Sequence, residues 1–416
     1  MRRSPVSALL FVLCLLFSFG LTTSAQSQQA LCREPVNSDM AVIGQSCQTV
    51  DANTFCLAQS DGVLMLGEES ATIEAGDRVA TREFDMIALG NASRDFPVAY
   101  LRMMANLPAT FVNDNLVMVT TGLVTVADTS DIVGESFTDE LAPVAATVNV
   151  ATDVLSFPPN YGSRTSEVVG QLAAGADVTM DVRNANSTHV RIAFTYPFGF
   201  GRRVSAWIPV SSLSDDSAVA DLPVLNPGQF TPMQSFVVAP ADNCQNVAPR
   251  VFIQSPGTVA AEIQAYGIDM VINSALVLNL TNPQGNGCYT LQVIPVMGTT
   301  LLVDPANPDD VDAAIVVTPT TFFEIGVCLV RDPRGRFVSV VDPQFRANFA
   351  SFKQDYLDKV ADGRALISQA IINLLNVFAS IPSFLLPYEL QPPVIIAPSG
   401  VGQPFPIFET FDPPSN

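Results

Sequence analysis

Leu116-Val117-Met118-Val119 and Leu123-Val124-Thr125-Val126 are two short apolar runs separated by Thr120-Thr121-Gly122. Both are rich in β-favouring residues and too short to be buried helices, so they read as strands. The tripeptide between them predicts a tight turn. The pattern recurs on both sides. Val63 to Leu66 and Phe84 to Leu89 precede it; Val251 to Ile253, Ala261 to Ala265, Met270 to Ile272, Ala275 to Leu280, Leu291 to Val296 and Ile315 to Val317 follow. Short strands at such spacing predict a sandwich or barrel. The chain therefore reads as mainly β, with one β-rich region over 32–142, another over 229–345 and a linker over 214–226.

Two segments stand apart. Pro35 to Ser46 predicts a short helix between Cys32 and Cys47. Residues 347–381 repeat apolar side chains at helical spacing (Phe349, Phe352, Tyr356, Val360, Ile367, Ile371, Leu374, Phe378) and predict one long amphipathic helix, bent at Gly363 and ended by Pro382. No charge occurs between Ala365 and Tyr388, but Ser368, Gln369, Asn373, Asn376 and Ser380 interrupt the apolar surface. The tail also lacks the Lys or Arg that would hold it inside a membrane. A helix packed on a β body is the expectation, followed over 387–416 by a Pro-rich, extended or disordered tail.

Between the β-rich regions, residues 143–213 alternate finely. Val190, Ile192 and Phe194 share one face of a strand, and His189, Arg191 and Ala193 share the other. Four blocks have a recognisable order: Thr147-Val148-Asn149-Val150 with Val154-Leu155; Val168-Val169-Gly170-Gln171-Leu172 through Gly175-Ala176-Asp177-Val178; Asn184-Ala185-Asn186-Ser187 through Ile192; and Ser205-Ala206-Trp207-Ile208-Pro209 through Leu213. Together they resemble the bacterial SH3-like domain carried by exported cell-wall enzymes and surface proteins. The layout around them is similar to uncharacterised exported proteins with one such domain amid β-rich regions. The resemblance implies a small barrel that binds a cell-wall glycan, a peptide or another surface protein. Its groove candidates are Phe157, Tyr161 and Trp207. Ser156-Phe157-Pro158-Pro159-Asn160-Tyr161-Gly162 departs from the family's usual segment, and His189 stands where a Trp is common. The loop Tyr196-Pro197-Phe198-Gly199-Phe200-Gly201-Arg202-Arg203 offers aromatic rings for stacking on sugars and guanidinium groups for carboxylates, so Tyr196, Phe198, Phe200, Arg202 and Arg203 form the candidate contact loop.

Arg2 and Arg3 precede an apolar run from Ala8 to Phe17, and Thr23-Ser24-Ala25 supplies small residues for cleavage. This predicts a signal peptide over residues 1–25 and an extracytoplasmic protein, secreted or held at the cell surface without a membrane anchor. Leu13 before Cys14 and Leu31 before Cys32 exclude a lipoprotein signal. Without Cys14, the cysteines are Cys32, Cys47 and Cys56 early and Cys244, Cys288 and Cys328 late. An odd number on each side means that full oxidation must include a bridge between the groups. The segment between them is then a loop-out or an inserted domain.

Net charge is −20, with only Lys353 and Lys359 as lysines. That balance disfavours nucleic acid and anionic lipid as partners. Catalysis by a Ser-His-Asp or Cys-His set would have to use His189, expected to be a solvent-exposed residue on a strand face. No Gly-rich phosphate loop is present, and no cofactor or metal is expected. Asp304 to Asp312 reads as an acidic surface turn, not a calcium loop. Asn91, Asn186 and Asn279 begin Asn-x-Ser/Thr sequons. A non-enzymatic binding or scaffold protein is the leading expectation. A self-assembling surface component and a hydrolase with a carboxylate pair are the alternatives.

Overall fold

Gly122 adopts a φ of 91°, a left-handed geometry open to glycine, and donates its N–H to Pro97 O at 2.9 Å. It does turn the chain, yet the runs on either side do not pair with each other. Leu116–Thr121 joins one sheet and Val124–Asp128 another. The turn is an arch that carries the chain from sheet to sheet, and it establishes a sandwich.

The computed structural model describes residues 32–386, apart from 91–94, 108–114, 134–136, 138–140, 161–165, 196–202, 242–243, 245–246, 248, 257–259, 273, 282, 285, 309, 311 and 383–385. The first half supplies β1 (Thr54–Gln59), β2 (Asp61–Leu66), β3 (Glu69–Glu74), β4 (Arg78–Ala80), β5 (Met86–Leu89), β6 (Val98–Met103), β7 (Leu116–Thr121) and β8 (Val124–Asp128). The middle supplies β9 (Val144–Thr147), β10 (Thr152–Leu155), β11 (Val168–Leu172), β12 (Asp177–Arg183), β13 (His189–Thr195) and β14 (Arg203–Pro209). The last part supplies β15 (Ser235–Pro240), β16 (Arg250–Gln254), β17 (Ala261–Ala265), β18 (Ile268–Ile272), β19 (Ala275–Thr281), β20 (Cys288–Met297), β21 (Thr300–Leu302), β22 (Ile315–Val317), β23 (Phe323–Arg331) and β24 (Phe337–Val341).

One nine-stranded sheet runs β24-β23-β20-β19-β16-β7-β6-β1-β4, and the other runs β22-β21-β18-β17-β15-β8-β5-β2-β3. Both contain strands from both halves of the chain. β7 pairs antiparallel with β16 (Val119 opposite Phe252), and β8 pairs antiparallel with β15 (Val126 opposite Val238). The two separate β-rich regions expected from sequence are therefore one body. Alternation reveals which face of a strand is apolar but not which distant strand lies beside it. The chain works inward to the middle of both sheets, leaves after β8 and returns at β15. Phe55, Leu101, Phe236, Ile253, Ile263, Ile268 and Ile272 fill the space between the sheets.

A second apolar layer covers the outer face of the sheet containing β7. Two short helices, α1 (Asn37–Ala41) and α2 (Ile43–Ser46), stand where one was expected. The C-terminal segment is not one long helix. It forms α4 (Pro343–Ala347), α5 (Phe349–Ala361) and α6 (Gln369–Phe378), with α3 (Ser130–Val133) earlier in the chain. Gly363 at φ 73° ends the run after α5, and Phe322 N donates to Ala365 O at 2.9 Å, tying the break to the sheet. Ser368 then caps α6 by accepting Ile371 N–H. Ile371, Leu375 and Phe378 pack with Met40, Ile43 and Val277, and Phe378 stacks on Phe252 at 5.5 Å. The packing of this segment on the β body agrees with expectation. Among the described residues no helix is long and apolar enough to cross a membrane.

All six expected cysteines are paired. Cys32–Cys244 joins the two groups, and Cys47–Cys56 and Cys288–Cys328 are local. The middle strands form a separate six-stranded sheet, β11-β10-β14-β13-β12-β9. Its edges β9 and β11 do not pair, so the closed barrel expected for this segment is not formed among the described strands. Val148, Met180, Val190, Ile192, Phe194 and Ile208 make its core. Gly170 lies under the Phe194 ring so closely that a Cβ there would come within 2.4 Å of it.

Asp128 ends β8, where the chain departs for this module. Its Oδ1 accepts Ser130 N–H at 2.8 Å. Burial pushes its carboxyl up to about 6, helped by the nearby Asp131 and opposed by hydrogen bonds from Ser130 and Met233. Asp131 itself is held by Arg334 and Arg336. A folded-state pKa above the unfolded value makes stability fall as pH rises from about 4 through about 6. Asp128→Asn keeps the cap and removes the buried charge. It is expected to raise stability at pH 7 by up to about 3 kcal/mol, with no gain below about pH 4, in urea titrations across pH.

Candidate functional site

β13 places alternate side chains on opposite faces, and the fold covers both. Val190, Ile192 and Phe194 enter the module's own core. Arg191 faces the sandwich instead of water. It is 2% exposed, with Nε and Nη2 donating to the two carboxylate oxygens of Asp181, both at 2.9 Å. Its Nη1 donates to the carbonyl of Asn106 at 2.7 Å, which attaches the module to the sandwich. Asn106 returns the connection on its other side, donating Nδ2 to Gln229 O at 2.7 Å. Ala105 and Asn106 have φ of 48° and 56°, so the anchoring turn is built from two non-glycine residues in the left-handed region.

Beside this attachment runs a seam cleft of about 240 Å³. Phe157, Trp207, Leu225 and Phe230 supply apolar wall, and Asn106, Asn226, Gln229 and Gln234 supply amides. The fixed charge of Arg191 is matched by Asp181, and apart from Glu262 the rest of the lining is apolar surface and neutral polar groups. Pockets of this character favour ligands with both hydroxyl or amide groups and apolar faces.

The sequence-derived candidates are only partly brought together. Phe157 is half-buried and Trp207 is 2% exposed, and both line this cleft. Trp207 is a packed wall more than an open stacking face, because it also belongs to a small core with Phe137, Val182 and Leu225. Tyr161, Tyr196, Phe198, Phe200 and Arg202 lie outside the described residues. Arg203 begins β14, its backbone opposite Thr195. His189 is half-buried, not freely exposed. Its Nδ1 lies 3.0 Å from Thr188 Oγ1, and desolvation lowers its pKa from the ordinary value. Asn279 is 6% exposed and its Nδ2 donates to Gln292, so that sequon is closed in the fold. Asp304 and Asp310 accept backbone N–H groups within their own turns. Among the described residues no three His, Cys, Asp or Glu side chains are grouped to hold a metal.

A larger cleft, about 520 Å³, adjoins the first and shares Phe230, Glu262 and Val271 with it. Sequence reasoning missed it. Its floor is the outer face of the β17–β18 hairpin, whose turn residues Tyr266 and Gly267 have φ of 54° and 75°. Two positive φ values identify a turn of the type I′ kind. Tyr266 is fully buried and its hydroxyl donates to Val238 O at 2.9 Å, fixing the hairpin on the neighbouring strand. Glu262 lies opposite Val271, and Gln264 lies opposite Asp269. Period-two alternation therefore puts both acids on the cleft face, and an acid on each side of a short Tyr-Gly turn is the signal that was available.

No protein-family model, curated protein or solved structure matches the chain.

Proposed function

We propose that this is an exported binding and scaffold protein. Its disulfide-stapled β sandwich presents an SH3-like module, and the seam between them recognises a cell-wall or surface polymer or peptide. The observation that carries this reading is the joint placement of Phe157 and Trp207 on one cleft walled also by amides. Three disulfides are consistent with an extracytoplasmic setting. Apolar faces and amides, with the buried guanidinium already matched by a carboxylate, suit a glycan or a neutral peptide backbone better than a phosphate. Self-assembly through the apolar C-terminal helix has less support, since α6 turns that face onto the sandwich.

Co-sedimentation with purified cell-wall sacculi and with soluble envelope polymers tests the proposal. Wild-type protein is expected to pellet with at least one polymer. Phe157→Ala is expected to weaken that binding about tenfold while leaving the fold intact, because Phe157 is only half-buried. Failure of the wild type to bind any of these polymers sinks the binding half of the proposal.

A further inference from the structure

The larger cleft holds a charge arrangement that the seam cleft lacks. Asp269 accepts a hydrogen bond from Gln264 Nε2 at 2.9 Å. Gln264 is 8% exposed, and its Oε1 accepts from Ser235 Oγ at 3.1 Å. Ser235 Oγ in turn shares a 2.7 Å hydrogen bond with Thr129 Oγ1. A buried relay of neutral groups therefore holds one oxygen of Asp269 in place without neutralising its charge. Such relays fix the direction of a side chain more tightly than a solvent-exposed contact does.

Arg346 lines the same cleft from α4. Its Nη2 reaches the carbonyl of Gly267 at 3.4 Å, at the tip of the hairpin that carries Asp269. Neither Arg346 nor Asp269 takes part in any of the ion pairs among the described residues. A fixed carboxylate and a guanidinium thus border one cavity without pairing. Val271, Val303, Pro305 and Val338 supply apolar wall around them. The opening of about 520 Å³ admits a small molecule of several residues' length at most.

We infer that this cleft binds a zwitterion, a free amino acid or short peptide, with the ligand's ammonium on Asp269 and its carboxylate on Arg346. A simple cation would face Arg346 unmatched, and a simple anion would face Asp269. A ligand carrying both charges satisfies both sides and places its side chains on the apolar wall. The site adjoins the seam cleft and shares Phe230, Glu262 and Val271 with it, but its charged groups Asp269 and Arg346 lie only in the larger cleft, so the inference does not depend on what the seam recognises.

Isothermal titration of the full mature chain with L-alanyl-L-alanine tests this, alongside its N-acetylated form and its C-terminal amide. The free dipeptide is expected to bind, and blocking either end is expected to weaken binding about tenfold or more, the worth of one charge-assisted contact. Asp269→Asn retains an acceptor for Gln264 and so is expected to fold, but to lose the preference for the free ammonium. Arg346→Gln, at an exposed position, is expected to lose the preference for the free carboxylate. Circular dichroism of both variants checks their folding. No heat with the free dipeptide at millimolar concentration overturns the inference. So does equal binding of the blocked forms, or unchanged preferences in two folded variants. Phe157→Ala is expected to leave dipeptide binding unchanged, which separates this site from the seam.

Discussion

Replacing Cys32 and Cys244 together by serine is expected to lower the stability of the sandwich by about 5 kcal/mol. This bridge spans 212 residues, against 9 for Cys47–Cys56 and 40 for Cys288–Cys328. Chain-entropy arguments then rank the three at about 5, 3 and 4 kcal/mol, the longest loop contributing most. The location strengthens the expectation. Cys32 and Cys244 pack with Leu123 beside the arch where the chain crosses between sheets. Losing them removes the covalent tie of the segment that begins the described fold, to which Arg250 on Glu34 at 2.6 Å and Arg33 over the Phe96 ring at 4.0 Å add non-covalent contacts. Guanidinium unfolding of the three paired serine variants, each with two bridges intact, measures the ranking. Three equal losses would show that loop closure does not set the contribution of the crossing bridge.

Arg191→Ala is expected to cost about 3–5 kcal/mol, because it takes away the guanidinium that holds both carboxylate oxygens of the buried Asp181. Both side chains are 2% exposed. The double replacement Arg191→Met with Asp181→Leu is expected to recover most of that loss, since two packed apolar groups carry no desolvation penalty. It also removes the bond from Arg191 to Asn106, so the attachment of module to sandwich weakens even where the module itself is rescued. Trp207, the only tryptophan of the chain, lies beside this seam and reports on it. In the double variant its fluorescence transition is expected to precede the far-ultraviolet transition of the sandwich. Coincident transitions would argue that the ion pair does not couple the two parts.

What could be read from the sequence follows from which interactions are local. Strands such as Ala261–Ala265 and Ala275–Thr281 are legible because alternation and composition are properties of a few neighbouring residues. Cysteine parity was a rare long-range signal, and the Cys32–Cys244 bridge matches it. The merging of two β-rich regions was not legible, because the β7–β16 and β8–β15 pairings depend on partners far along the chain. Arg191 shows the same limit within one strand. Its polar face was visible, but the surface covering that face comes from Asn106 and the sandwich. The long helix failed at Gly363, where φ 73° and a tie to the sheet outweighed the continuing apolar repeat. Phe157 and Trp207 share a cleft, whereas the larger cleft draws on β17, β18, the 303–308 turn, β24 and α4, too scattered for any local pattern to show.

The insertion between β8 and β15 also sets an order of events for a chain that emerges from its N-terminus. Once residue 128 is available, β7 and β8 complete the first half of both sheets. Their partners β16 and β15 do not follow until more than a hundred residues later. During that interval the half-built body carries two open strand edges side by side, the surface on which one nascent chain pairs with another. Folding of the intervening module does nothing to cover them. Delayed closure leaves those two edges without their native partners for the length of the inserted module, which is the condition under which strand edges invite pairing between chains.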